Sequence, residues 1–213
     1  MKFNKDMLLL YAITDRAWVG KQTLIEQIES ALKGGATIVQ LREKKLDEES
    51  FLKEAISVKE LCRRYGVPLI INDNVEIALK SGADGVHVGI EDTPVEEIRK
   101  RVPKDFIIGA TCKTAEQARD AERAGADYMG VGAVFPSPTK TNAIRITNEQ
   151  LREIACAVSI PAVAIGGINA DNILQIKGSG ASGVAVVSAV FGADDIEGAT
   201  AELKEKAKAV VVE

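Results

Sequence analysis

Three cations, two carboxylates and several neutral hydrogen-bond donors recur at the ends of apolar runs in this chain. Gln40, Arg42 and Lys44 close the run IVQLREK on alternate positions, and Lys140 ends AVFPSPTK. Asn72-Asp73 finish PLIIND, Thr111 finishes FIIGAT, and Asp92 stands just past GVHVG. Arg42, Lys44 and Lys140, with the amide of Asn72 and the hydroxyl of Thr111, suit a diphosphate, because charged donors bind phosphoryl oxygens strongly. Asp73 and Asp92 would repel such a ligand unless a cation intervened. Mg²⁺ answers that, since it takes one or two carboxylates together with waters and substrate phosphate oxygens. A second anion position is expected where Gly166-Gly167 and Val187-Ser188 end two further runs, because glycine lets backbone N–H groups approach a phosphate closely. A tight turn alone is the lesser alternative for the glycine pair.

Residues so far apart in the chain converge only if a repeated architecture brings them to one rim. Four stretches share a rhythm: GGATIVQLR (34–42), SGADGVHVG (81–89), AGADYMGVG (124–132) and SGASGVAVV (179–187). Each is Gly-Ala with a polar residue, then an apolar strand; the glycine suits the left-handed position that ends a helix. Between them lie LLLYAIT, PLIIND, FIIGAT and PAVAIGG, which makes eight short strands. Leu24, Ile25, Ile28, Ala31 and Leu32 recur at helical spacing, as do Phe51, Leu52, Ala55, Val58 and Leu61, and 115–124, 148–157 and 196–210 carry apolar stripes. Asp47, Thr114 and Thr147 stand as N-caps, the last two as capping boxes with Gln117 and Gln150. Eight β-α units predict a (β/α)8 TIM barrel filling residues 1–213 as one domain, with a doubly wound sheet as the alternative. Barrel active sites sit at the carboxyl ends of the strands, where these polar residues fall. GSGASG (178–183) matches a dinucleotide fingerprint by letter, yet it follows a helix and opens a strand, the reverse of what that motif needs.

Composition narrows the function classes. A net charge of −4 argues against an electrostatic nucleic-acid binder. Cys62, Cys112 and Cys156 have no metal-binding spacing and fit reduced thiols in the cytoplasm. MLLLYAI near the N-terminus is too short for a signal peptide, and no run is long enough to span a membrane. No strand carries an internal lysine, which excludes a Schiff-base aldolase. His87, flanked by Val86 and Val88, reads as a hydrogen-bonded core residue as readily as a general base, and no catalytic role is assigned to it.

With VQLREK, INDN, GADGVHVG, ADYMGVGAVFPSPTK and AIGGI in that order, the chain resembles the thiamine-phosphate synthase family over nearly its whole length. The resemblance implies a Mg²⁺-dependent condensation of hydroxymethylpyrimidine diphosphate with hydroxyethylthiazole phosphate, giving thiamine phosphate and diphosphate by dissociative substitution. It implies that Gln40, Leu41, Arg42, Glu43, Lys44, Asn72, Thr111 and Lys140 hold the pyrimidine diphosphate. Ser137, Pro138, Thr139, Gly167, Val187 and Ser188 would hold the thiazole phosphate, and Asp73 and Asp92 the magnesium. Arg42, Lys44, Thr111 and Lys140 would carry the catalytic load. The implied partners are phosphorylated small molecules, with no nucleic acid or membrane, and a homo-oligomer is compatible. Thr111 and Ser137 stand where the family usually has serine and threonine, and TNAIRIT after Lys140 departs from its glycine-containing loop. Two rivals remain: a thiazole tautomerase on the same barrel, whose relatives carry a histidine where this chain has Lys113, and a non-catalytic binder of thiamine precursors.

Overall fold

The computed structural model describes residues 2–20, 22–136 and 145–211. Eight parallel strands close on themselves in chain order, with β1 (Leu10–Ile13) pairing both β2 (Ile38–Leu41) and β8 (Val184–Val186). Between them run β3 (Leu69–Asn72), β4 (Gly85–Val88), β5 (Ile107–Cys112), β6 (Tyr128–Gly132) and β7 (Ala162–Ile165). Around the barrel stand α1 (Leu24–Lys33), α2 (Glu48–Arg64), α3 (Val75–Ser81), α4 (Val95–Arg101), α5 (Ala115–Ala124), α6 (Asn148–Cys156), α7 (Ser188–Phe191) and α8 (Ile196–Val211). The expected (β/α)8 barrel is present.

Alternation along each strand divides the apolar side chains into two cores. Leu8, Tyr11, Ile13, Ile38, Ile70, Ile107, Tyr128, Val163 and Ala185 fill the barrel. Their neighbours, such as Leu10, Val39, Ile71, Val86 and Met129, face the helical shell. Both faces of a strand are therefore buried, which is why the strands read as continuous apolar runs rather than alternating ones.

The Gly-Ala-polar repeat has a physical basis at each position. Gly82 and Gly125 end α3 and α5 in the left-handed conformation, with φ of 68° and 94°. The polar residue then ties the preceding strand to the new one. Asp84 accepts the Leu69 backbone N–H at 2.8 Å, Asp127 that of Ile108 at 2.8 Å, and Thr37 that of Leu10 at 2.9 Å. Lys59 and Arg99 neutralise the two aspartates. Three of the four repeats thus satisfy a backbone donor at the start of the preceding strand.

Two expectations are corrected in detail. The β7–β8 connection holds a short 3₁₀ turn, Ile173–Ile176, where a full helix was expected. Thr114 caps α5, but Gln117 bonds the N–H of Lys113 rather than that of Thr114, so no reciprocal box forms. The box at Thr147 and Gln150 is complete, and a second one at Thr23 and Glu26 opens α1. Asp47 caps α2 as expected.

Candidate functional site

At the carboxyl end of the barrel the side chains stop filling the interior and leave a cavity of about 550 Å³. The cause is the taper of the inward positions. Below, Ile38, Ile70, Ile107 and Tyr128 fill the barrel; above, β6 presents Gly130 and Gly132, β8 presents Ala185, and β7 is followed by Gly166-Gly167. Gln40, Arg42, Asn72, Thr111, Gly167, Val187 and Ser188 line this space together, as their alternation requires. Ile13, Val163, Ile165 and Ile168 supply an apolar wall.

The charges are unequally distributed. Arg42 and Lys113 line the cavity, and among the described residues no carboxylate does. Arg42 is half-buried and held in place, its Nη1 2.8 Å from Asp15 Oδ2 and its backbone N–H donating to Thr14 Oγ1 at 2.9 Å. Lys113 follows Thr111 by two residues and so shares its face, a signal of the same kind that marked Gln40, Arg42 and Lys44. Asp15, Lys113, Tyr11 and Tyr128 were all missed as site residues from sequence.

Asn72, the last residue of β3, and the two polar residues after it do three different jobs. Asn72 reaches into the cavity. Asp73 adopts φ 61°, the one described non-glycine residue with positive φ, and its N–H donates to the carbonyl of His87 at 2.8 Å. A left-handed residue other than glycine costs roughly 1–3 kcal/mol and tends to occur where function requires it. Asn74 caps α3 by accepting the N–H of Ile77 at 2.9 Å. Lys44 pairs with Asp73 Oδ2 at 2.5 Å on the rim, a pair too exposed to contribute much stability. Asp92, past β4, accepts the N–H of Gly89 at 2.7 Å.

Two residues of the expected set, Leu41 and Glu43, turn their side chains away from the cavity. Leu41 is fully buried against the helical shell, because it sits one position out of phase with Gln40. Glu43 points the same way, where Arg16 meets it at 2.8 Å and also reaches Glu54. Burial pushes the Glu43 carboxyl above its ordinary range, with Arg16 working against that shift. Lys44, Asp73 and Asp92 occupy the rim rather than the cavity lining. Ser137, Pro138, Thr139 and Lys140 lie outside the described residues.

The glycine pair after β7 is required by space as well as by turn. Gly166 and Gly167 have φ of 104° and 64°. A Cβ on Gly167 would run into the backbone carbonyls of Phe135 and Pro136. Gly167→Ala is expected to destabilise the protein by roughly 1–3 kcal/mol through strain, and to raise KM for a phosphorylated ligand bound there. Thermal melts and steady-state kinetics check the two effects; an unchanged KM would remove Gly167 from the anion position.

A family model described as thiamine monophosphate synthase matches residues 10–190. The thiamine-phosphate synthase of Ruminiclostridium cellulolyticum is 47% identical over 196 residues, which cover 92% of this chain and 93% of that protein. That of Alkaliphilus oremlandii is 46% identical over 98% of this chain and 100% of its own. The solved structure of thiamine phosphate pyrophosphorylase from Pyrococcus furiosus superposes with a TM-score of 0.90 at 40% identity, covering 98% of this chain and 99% of that one.

Proposed function

The chain belongs to the thiamine monophosphate synthase family, and from that premise we propose that its cavity condenses hydroxymethylpyrimidine diphosphate with hydroxyethylthiazole phosphate. The enzyme is a transferase of thiamine phosphate synthesis. The observation that carries the reading of the site is its charge. Among the described residues the lining includes the cations Arg42 and Lys113 and no carboxylate, while Asp73 and Asp92 stand past the ends of β3 and β4.

The donor set fits magnesium. Asp73 and Asp92 stand just past the ends of neighbouring strands, β3 and β4, and each uses Oδ2 for hydrogen bonds from the protein. Among the described residues no cluster of three or more candidate ligands exists, so an ion there would complete its shell with water and substrate oxygens. Bound there, Mg²⁺ would neutralise diphosphate charge.

In the reaction, the bond between the pyrimidine methylene carbon and the diphosphate oxygen breaks, and its electron pair leaves with the diphosphate. The thiazole nitrogen then gives its lone pair to the resulting cation. No proton is transferred, so the site needs anion stabilisation and dryness, not a strong base. Arg42, aimed by Asp15, and the hydroxyl of Thr111 serve the leaving group, with Lys44 and, from its sequence position, Lys140. Gln40 and Asn72 orient the pyrimidine half. Gly167, Val187 and Ser188 receive the thiazole phosphate, with Ser137 and Thr139 assigned from their sequence position. Ile13, Val163 and Ile165 exclude water from the cation. Among the described residues no helix is long and apolar enough to cross a membrane; we place the protein in the cytoplasm, acting on phosphorylated small molecules.

Turnover of the two purified substrates tests this. Formation of thiamine phosphate with stoichiometric diphosphate is expected. Isomerisation of a thiazole carboxylate phosphate alone would favour the tautomerase, and binding of both substrates without product would favour a binding protein.

A further inference from the structure

Five polar side chains on the floor of the cavity form an unbroken line of hydrogen bonds. Gln40 Nε2 lies 2.8 Å from Tyr11 Oη, which lies 2.8 Å from Tyr128 Oη. Tyr128 Oη is 3.1 Å from His87 Nδ1, and His87 Nε2 is 3.1 Å from Thr111 Oγ1. The members come from β2, β1, β6, β4 and β5, so the line crosses the barrel. Gln40 is 2% exposed, Tyr11 1% and Tyr128 0%, so water does not replace a missing partner at that end.

The barrel makes room for this line at two glycines. A Cβ on Gly109 would overlap the phenol of Tyr128 and Nδ1 of His87. One on Gly130 would press on the His87 ring, 3.1 Å from Cε1. Tyr128 is further fixed by the ring of Phe3, stacked at 5.8 Å, and by the edge of Tyr11 at 5.9 Å.

The line has a direction. An amide nitrogen only donates, and a phenol has one proton to give. With Gln40 Nε2 donating to Tyr11, the Tyr11 proton goes to Tyr128, its other hydrogen-bond partner among the described residues. The Tyr128 proton then goes to His87 Nδ1, the ring proton sits on Nε2, and Nε2–H donates to Thr111 Oγ1. Burial raises both phenols further above their ordinary, already alkaline range, so both keep their protons. Thr111 therefore accepts from the protein, and its own proton is left for the cavity.

We infer that Tyr11, Tyr128 and His87 are positioning residues that hold the Thr111 hydroxyl as a donor facing the cavity, in an order set by the Gln40 amide. The inference rests on the reading that Thr111 donates to the departing diphosphate, and it supplies the reason that hydroxyl donates rather than accepts. A hydroxyl free to rotate would part of the time present lone pairs to an anion. Here the lone pair is engaged, and the donor orientation is built in before the ligand arrives.

The chain has a single histidine, so protein labelled with ¹⁵N-histidine reports one imidazole. Long-range ¹H–¹⁵N spectra of the ligand-free wild type are expected to show a proton on Nε2 and none on Nδ1. Tyr128→Phe keeps the ring but removes the donor to Nδ1. The tautomer should then shift toward a mixture, and kcat should fall about five- to tenfold, the worth of one hydrogen bond, with KM for the thiazole phosphate unchanged. Tyr11→Phe tests the same line from its other end. A protonated Nδ1 in the wild type would overturn the proposal, since the line would then run backwards with Thr111 donating inward. Wild-type ring signals and rate in both phenylalanine variants would overturn it as well. The ring signature is read without substrate, which separates it from the diphosphate reading: a Thr111→Val enzyme of full activity, beside a wild-type Nε2–H ring, removes that reading and leaves the hydrogen-bond order intact.

Discussion

Thr111→Val is expected to lower kcat by about a hundredfold to a thousandfold, while Thr111→Ser keeps most of the wild-type rate. Loss of one donor to a developing anion typically costs about 2.7–4 kcal/mol. Valine matches threonine in shape and keeps the β-branched backbone preference of β5, so the substitution deletes the hydroxyl and little else. Thr111 is half-buried at the end of its strand and lines the cavity. Its oxygen lies 3.1 Å from His87 Nε2, and in the hydrogen-bond order inferred above it accepts there, so its proton is the part of the group left for a ligand. Serine restores that proton on a less constrained rotor, for which a modest loss is expected. Steady-state kinetics of the three enzymes with each substrate varied in turn make the measurement. Equal rates for the threonine and valine enzymes would show that the side chain only packs.

The comparison of Gln40 with Leu41 explains how much of the site was legible in the sequence. A strand has a period of two, so once IVQLREK is read as a strand, Gln40 and Arg42 must share the cavity face and Leu41 must not. Family resemblance assigns the whole segment to the substrate, and the structure divides it by phase. Glu43 follows the same phase onto the face of Leu41, but Arg16, which meets it there, and Glu54, which Arg16 also reaches, lie on separate elements, so no local pattern predicts the ion pairs that receive a charge beneath the helices. The barrel itself was readable because its repeat is local: glycine, alanine and a polar residue recur before every second strand, and the glycine and the polar residue have local structural tasks. The hydrogen-bonded line through Tyr11, Tyr128 and His87 was not readable. Each residue sits in a strand where an aromatic or a histidine passes for core, and only closure of the barrel brings β1, β4 and β6 to the same depth. Gly109 and Gly130 carried a hint, since two glycines inside apolar strands mark places where something else needs the space.

Removal of divalent metal is expected to reduce activity by about a thousandfold, the several kcal/mol that a bound cation contributes to a charged leaving group. Asp73→Asn should reproduce much of that loss by weakening metal-dependent binding of the diphosphate substrate. The substitution is a clean probe because of the backbone at this position. Asp73 holds φ 61°, a conformation that asparagine tolerates as well as aspartate, whereas alanine would add strain to the loss of charge. Lys44 and Asn72 both direct donors at Asp73 Oδ2, so an amide there also disturbs the rim pair. That pair is exposed, with Lys44 at 51%, and its contribution to stability is small. The variant should therefore keep its circular dichroism spectrum and melting temperature within a few degrees while losing its response to added Mg²⁺. Isothermal titration of the pyrimidine diphosphate with and without Mg²⁺, on wild type and variant, reads this directly. An unfolded Asp73→Asn protein would mean that the carboxylate serves the β3 corner rather than a metal, and full wild-type activity in excess chelator would remove the metal from the reaction altogether.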